Sequence, residues 1–146
     1  MKKLLIFFFL NKSLSSLACE HSQDKFNCIE YVDNYDGDTV TVNIPNIHPF
    51  FGKNAKIRLD GIDTPELRSK NYCEKELAAR AKKFVKSLLE SAQTINLKKI
   101  VKGKYFRIVG ELTVDGKNIS DILVAKNLAI PYSGKTKQII DWCKFL

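Results

Sequence analysis

Apolar and polar positions alternate most cleanly after Asp38. Val40, Val42 and Ile44 fall on one face and Thr39, Thr41 and Asn43 on the other, the two-residue period of a half-buried strand. Residues 26–33 read as the preceding strand. Asn34-Tyr35-Asp36-Gly37 reads as the tip between them, because Asp-Gly is a strong hairpin signal. Two prolines, a glycine and Phe50-Phe51 make residues 45–54 a long loop. Residues 56–62 alternate again, with Ile57 and Leu59 inward and Arg58 and Asp60 outward. The period then changes: Leu77, Ala81, Phe84, Val85, Leu88 and Leu89 follow helical spacing, which predicts a helix over residues 73–92. Residues 94–100 and 105–114 read as two further strands turning near Lys102-Gly103, with a second tight turn at Asp115-Gly116. Ser120 is placed to cap a short helix ending near Asn127, and residues 134–145 read as a last, weaker helix. This order predicts a mainly β, α+β fold, a five-stranded OB-type Greek-key barrel with three helices.

The first residues stand apart. Met1-Lys2-Lys3 precedes the apolar run Leu4 to Leu10, then a polar stretch, then Ser16-Leu17-Ala18, the pattern of a signal peptide cleaved after residue 18. The alternative is an ordinary first strand. The run is far too short to span a bilayer. Cleavage there leaves residues 19–146 as a single domain that is exported, either secreted or periplasmic. A lipid anchor on Cys19 is the less favoured route, since Ser16 sits where bacterial lipoprotein signals carry Leu and an odd cysteine would remain.

The chain has 146 residues, room for one domain, and at 45% hydrophobic and 27% charged it is globular material. Its net charge of +8 points to polyanions, and loss of three lysines with the leader would lower this only to +5. Cysteines 19, 28, 73 and 143 have no C-x-x-C spacing, which argues against zinc. In an exported domain they form one or two disulfides, with three pairings open. His21 lies near the mature start and His48 precedes a proline in a loop, so neither is placed for catalysis.

Three clusters carry the chemistry. Asp36-Gly37-Asp38-Thr39 is a hairpin tip or a hard-cation site. Asp63-Thr64-Pro65-Glu66 is a helix start or a carboxylate pair delivered by the strand bearing Arg58. Arg107 lies between Phe106 and Ile108, and with only four Arg in the chain, two in strand contexts stand out. Arginine grips phosphate through a bidentate fork, which lysine lacks. Together the clusters match what phosphodiester hydrolysis requires: neutralised charge, a metal to polarise oxygen and a base for water.

With Lys104-Tyr105-Phe106-Arg107 added, these motifs resemble the staphylococcal nuclease (thermonuclease) family, in the family's order and over residues 26–132. The resemblance implies Ca²⁺ held by Asp38, Asp63 and the Thr64 carbonyl, with Asp36 supporting the metal loop. It implies Arg58 and Arg107 on the phosphate, Glu66 as the base for water, and Lys104, Tyr105 and Tyr132 lining the nucleotide pocket. It further implies a monomer that cleaves DNA and RNA to 3′-phosphate products. Phe106 departs from the family's usual Gly, Ile108 from another, and Pro131 interrupts the tyrosine-bearing segment. Two rivals remain: an OB-fold module that binds single strands without cutting them, and a basic protein serving an anionic membrane or matrix. The carboxylates separate the first, since they weaken phosphate binding unless a cation offsets them. The converging motifs separate the second.

Overall fold

A computed structural model of the chain describes residues 19–136 and 138–146. The expected leader, residues 1–18, lies outside them. The strands are β1 (Lys25–Phe26), β2 (Glu30–Asn34), β3 (Thr39–Asn43), β4 (Ala55–Leu59), β5 (Ile62–Asp63), β6 (Ile95–Lys102), β7 (Ile108–Val114), β8 (Lys117–Asn118) and β9 (Ile130–Pro131). The helices are α1 (Pro49–Gly52), α2 (Tyr72–Glu90) and α3 (Ile119–Ala125), followed by a 3₁₀ turn at Trp142–Phe145.

One sheet runs in the order β1-β6-β7-β4-β3-β2, with β8 on β7, and a separate ribbon pairs β5 with β9. The β4–β7 pair is parallel, Ile57 facing Ile108, and the β2–β3, β3–β4 and β6–β7 pairs are antiparallel. The five principal strands thus take the OB-type Greek-key order in a mixed α+β fold. β1 and β2 stand at opposite ends of the path yet are almost consecutive in sequence. Between them Ile29 N–H donates to Ile95 O at 3.0 Å. The ladder is not continuous there, so the sheet curls round without closing into a barrel.

The alternation read from the sequence accounts for the core. Val40 and Val42 of β3, Ile57 and Leu59 of β4, and Leu97 and Leu112 are all buried, and they meet Val85 and Leu89 of α2 and Ile119 and Leu123 of α3. Each such side chain contributes roughly 1.5–3 kcal/mol on leaving water. On α2 the buried positions Leu77, Ala78, Ala81, Val85 and Leu89 form one stripe, and Asn71 caps its start by accepting from Glu74 N–H.

Several elements differ from the sequence expectation. Residues 26–33 are not one strand: Cys28 takes a left-handed φ of 52° and breaks them into β1 and β2. The loop at residues 45–54 contains α1, started by His48 Nδ1 accepting from Phe50 N–H with Pro49 in its first turn. Asn118, not Ser120, caps α3, and Ser120 Oγ donates instead to Asp60 O at 2.9 Å. The helix expected over 134–145 reduces to the 3₁₀ turn. Gly134 at φ 78° departs from helical geometry, and the segment is anchored by buried Trp142 rather than by helical hydrogen bonds. The third helix is therefore α1.

Both disulfides form, Cys19–Cys28 and Cys73–Cys143. The second closes a loop of 70 residues and ties the C-terminal turn to the start of α2. Chain-entropy arithmetic gives such a crosslink about 4 kcal/mol. Cys73→Ser with Cys143→Ser is therefore expected to lower unfolding free energy by roughly 2–4 kcal/mol in urea titrations, and an unshifted midpoint would show that the loop is already ordered when unfolded.

Candidate active site

Asp38 immediately precedes β3, and Arg58 faces Thr39 across the β3–β4 pair. The hairpin tip is built by side chains. Asp36 Oδ1 accepts from Asp38 N–H and Thr39 N–H at 3.0 and 2.7 Å. Asn34 is fully buried: its Oδ1 accepts from Tyr31 Oη at 2.6 Å, and its Nδ2 donates to Asp36 O and to Lys82 O of α2 at 2.8 and 3.0 Å. Gly37 does not serve a left-handed turn. A Cβ there would lie 2.9 Å from both Thr64 Cγ2 and Ala81 Cβ, so glycine is required by the close approach of the tip to the Thr64 segment and α2.

Asp63 ends β5, which the pairing Asp63↔Ile130 holds in place. The segment from Thr64 to Glu66 is not a helix start, since α2 begins only at Tyr72. It folds back onto Asp38 instead. Thr64 N–H and Oγ1 both donate to Asp38 Oδ2, at 3.0 and 2.8 Å. Glu66 is exposed, and its N–H donates to Glu74 Oε1 at 3.1 Å. Glu74 also accepts from Ser69 Oγ at 2.6 Å, fastening the Glu66 segment to the first turn of α2.

Arg58 is the hub. Its Nη1 lies 2.7 Å from Asp38 Oδ2, and its Nη2 lies 3.4 Å from Asp63 Oδ1 and donates to Ile62 O at 3.0 Å. A cavity of about 270 Å³ is lined by Asp36, Asp38, Arg58, Asp63, Glu66 and Arg107, with Thr39, Thr64 and Pro65. Seven of the ten residues singled out in the sequence meet there. Lys104, Tyr105 and Tyr132 do not line it. Lys104 and Tyr105 belong to the β6–β7 hairpin tip, where the Tyr105 ring centroid is 6.0 Å from Arg107 Cζ. Tyr132 follows β9, donating its N–H to Gly61 O at 2.9 Å and its hydroxyl to Lys135 O.

Sequence reasoning placed Thr39 and Pro65 inside its motifs without a role, and missed Asn34 and Glu74 as parts of this construction. The spacing Asn71-x-x-Glu74 is a helix-capping pattern that flags Glu74. Asn34 gave no signal distinct from turn composition. Both histidines are structural: His21 Nε2 pairs with Pro45 O at 2.6 Å while Nδ1 accepts from Asn27 N–H, and His48 caps α1.

The cavity walls carry four carboxylates against two guanidiniums. Burial pushes the Asp38 carboxyl up to about 6; Arg58 opposes this, the Asp36 carboxylate adds to it, and the two Thr64 hydrogen bonds oppose it. The sign for stability follows. Between pH 4 and 6 the folded chain keeps a proton at Asp38 that the unfolded chain has lost, so this group's contribution falls as pH rises across that window. Asp38→Asn, which mimics the protonated group, is expected to gain stability relative to the parent in chelator as pH rises from 4 to 7. A difference in urea midpoint that stays constant over this range would contradict it.

The donor set fits a hard divalent cation. Two buried carboxylates at one wall, all-oxygen chemistry and an excess of two negative charges suit Ca²⁺. Among the described residues no group of three or more His, Cys, Asp or Glu side chains is arranged to ligate a metal, so a cation held here would need backbone and water oxygens as well. Likewise among the described residues, no helix is long and apolar enough to cross a membrane.

Comparison with known proteins gives the family. A family model described as staphylococcal nuclease homologue matches residues 56–141, a stretch that holds Arg58, Asp63, Thr64, Glu66, Lys104, Tyr105, Arg107 and Tyr132. No curated protein matches the chain. The matched stretch covers more than half of the 146 residues. It points to a nuclease or nucleic-acid-binding role, and the chain belongs to the staphylococcal nuclease homologue family.

Proposed function

We propose that the chain is a Ca²⁺-dependent, sugar-nonspecific nuclease that hydrolyses DNA and RNA to 3′-phosphate products. The observation that carries this reading is the convergence of Arg58, Arg107 and Glu66 on one cavity whose floor holds the buried Asp38 and Asp63. A module that only binds nucleic acid gains nothing from four carboxylates at its phosphate site.

In the proposed reaction Arg58 and Arg107 bind the non-bridging phosphate oxygens and hold the charge that grows on them. Glu66 accepts a proton as a water oxygen attacks phosphorus. The P–O5′ bond breaks, the leaving 5′-oxygen takes up a proton, and the phosphate stays on the 3′ side. Asp38 and Asp63, with the Thr64 carbonyl, would hold Ca²⁺, while Asp36 fixes the loop that presents Asp38. When bound, the cation supplies Lewis-acid polarisation of the phosphate. Lys104, Tyr105 and Tyr132 flank the nucleotide.

Two disulfides support an oxidising, extracytoplasmic destination. Cys19 bonded to Cys28 has no sulfur left for a lipid, which favours a released chain over an anchored one. The test is a cleavage assay of the disulfide-intact chain on single-stranded DNA, duplex DNA and RNA, in Ca²⁺ and then in excess chelator. Chelator-sensitive cleavage of all three is expected. Salt-sensitive binding without cleavage would replace the proposal with a binding module.

A further inference from the structure

The β6–β7 hairpin ends in a turn that costs the fold more than it returns. Arg107 N–H donates to Lys104 O at 3.2 Å and Gly103 N–H to Arg107 O at 2.9 Å, and the two central residues, Tyr105 and Phe106, have φ of 56° and 58°. Such a turn suits Asn-Gly, because a Cβ is strained in the left-handed region. Here both positions carry aromatic rings, and the rings gain no burial: Phe106 is 95% exposed and Tyr105 84%. Glycine at 106 would relieve strain and remove an exposed apolar ring at once. The next residue, Arg107, lines the cavity described above.

We infer that Phe106 is a stacking platform for an unpaired nucleobase next to the phosphate held by Arg107, biasing this nuclease toward single strands. The inference rests on the nuclease reading. Strain held at a site beside a ligand-binding group is a recurrent mark of function. Every base offers a flat face to an aromatic ring, worth roughly five- to 150-fold in affinity. In a duplex those faces are already covered by neighbouring bases, so only an unpaired base gains. The exposed Lys102 and Lys104, on the β6 side of the turn, complement the backbone that carries such a base. The other exposed aromatic pair, Phe50 and Phe51, does not share this position. It lies beyond the Val42↔Ala55 end of the β3–β4 hairpin, whereas the site is at the Thr39↔Arg58 end.

The test measures anisotropy of labelled oligonucleotides in chelator, where cleavage is silent, using a single strand, the same strand bearing abasic residues, and its duplex. The full chain is expected to bind the base-bearing single strand about tenfold more tightly than the abasic one. Phe106→Gly is expected to erase that difference while raising thermal stability, and Phe106→Trp to keep it. If Phe106→Gly binds the base-bearing strand as tightly as the parent, and Glu66-dependent cleavage persists, the platform is overturned and the nuclease reading stands. A parent chain that neither binds nor cleaves nucleic acid overturns both.

Discussion

Glu66→Gln is expected to slow phosphodiester hydrolysis by about 10²-fold or more while leaving substrate affinity unchanged or slightly higher. The reason is in how Glu66 is held. Its backbone N–H donates to Glu74 Oε1, which ties this segment to the first turn of α2. Glutamine keeps that backbone bond and nearly the same shape, and cannot take a proton at neutral pH. It also removes one negative charge from the cavity wall, which a polyanionic substrate tolerates well. Single-turnover cleavage gives the rate, and anisotropy in chelator gives the affinity. Unchanged turnover would remove Glu66 from the mechanism, and parallel loss of both would make it a binding group.

Arg58→Lys is expected to be at least as severe, on the order of 10²–10³-fold in cleavage, even though the charge is conserved. The guanidinium spans Asp38 on one nitrogen and Asp63 with the Ile62 carbonyl on the other. An ammonium is a point charge with three donors and no planar fork, so it satisfies one carboxylate and leaves the other without its guanidinium. Asp38, already inclined to hold a proton because of its burial, would do so more readily. A variant with near-normal turnover would make Arg58 a structural clasp between β3 and β5 instead.

The reach of the sequence can be judged residue by residue. Val40, Val42, Ile57 and Leu59 were legible because a strand buries one face, and period two marks it. The site residues were legible because the chemistry requires rare types: Arg58 and Arg107 are two of only four arginines. The tip of the β6–β7 hairpin was not. Lys102-Gly103 looks like the turn, but Gly103 is needed because a Cβ would lie 2.6 Å from Val109 Cγ2, and the chain reverses at Tyr105-Phe106. The C-terminal segment was read as too long a helix for a related reason. Trp142 and Cys143 are held by distant partners, and no local pattern reports a contact to Cys73. The disulfide pairing is equally a property of the folded distance and not of spacing.

The near-consecutive β1 and β2 at opposite ends of one sheet bear on how quickly the molecule assembles. Lys25 pairs with Lys98 and Ile57 with Ile108, so β1 joins the sheet and the sheet's two halves meet only across separations of about 70 and 50 residues. Loop closure of that length must be completed before the contacts reward it, which places the chain among slow folders relative to helical proteins of its size. In a polypeptide growing from its N-terminus, β2, β3 and β4 form a meander that α2 reaches first, and the edge of β4 has no partner strand until β7 arrives. The core therefore stays incomplete until the second half of the chain, which brings Leu97, Leu112, Ile119 and Leu123, has been made.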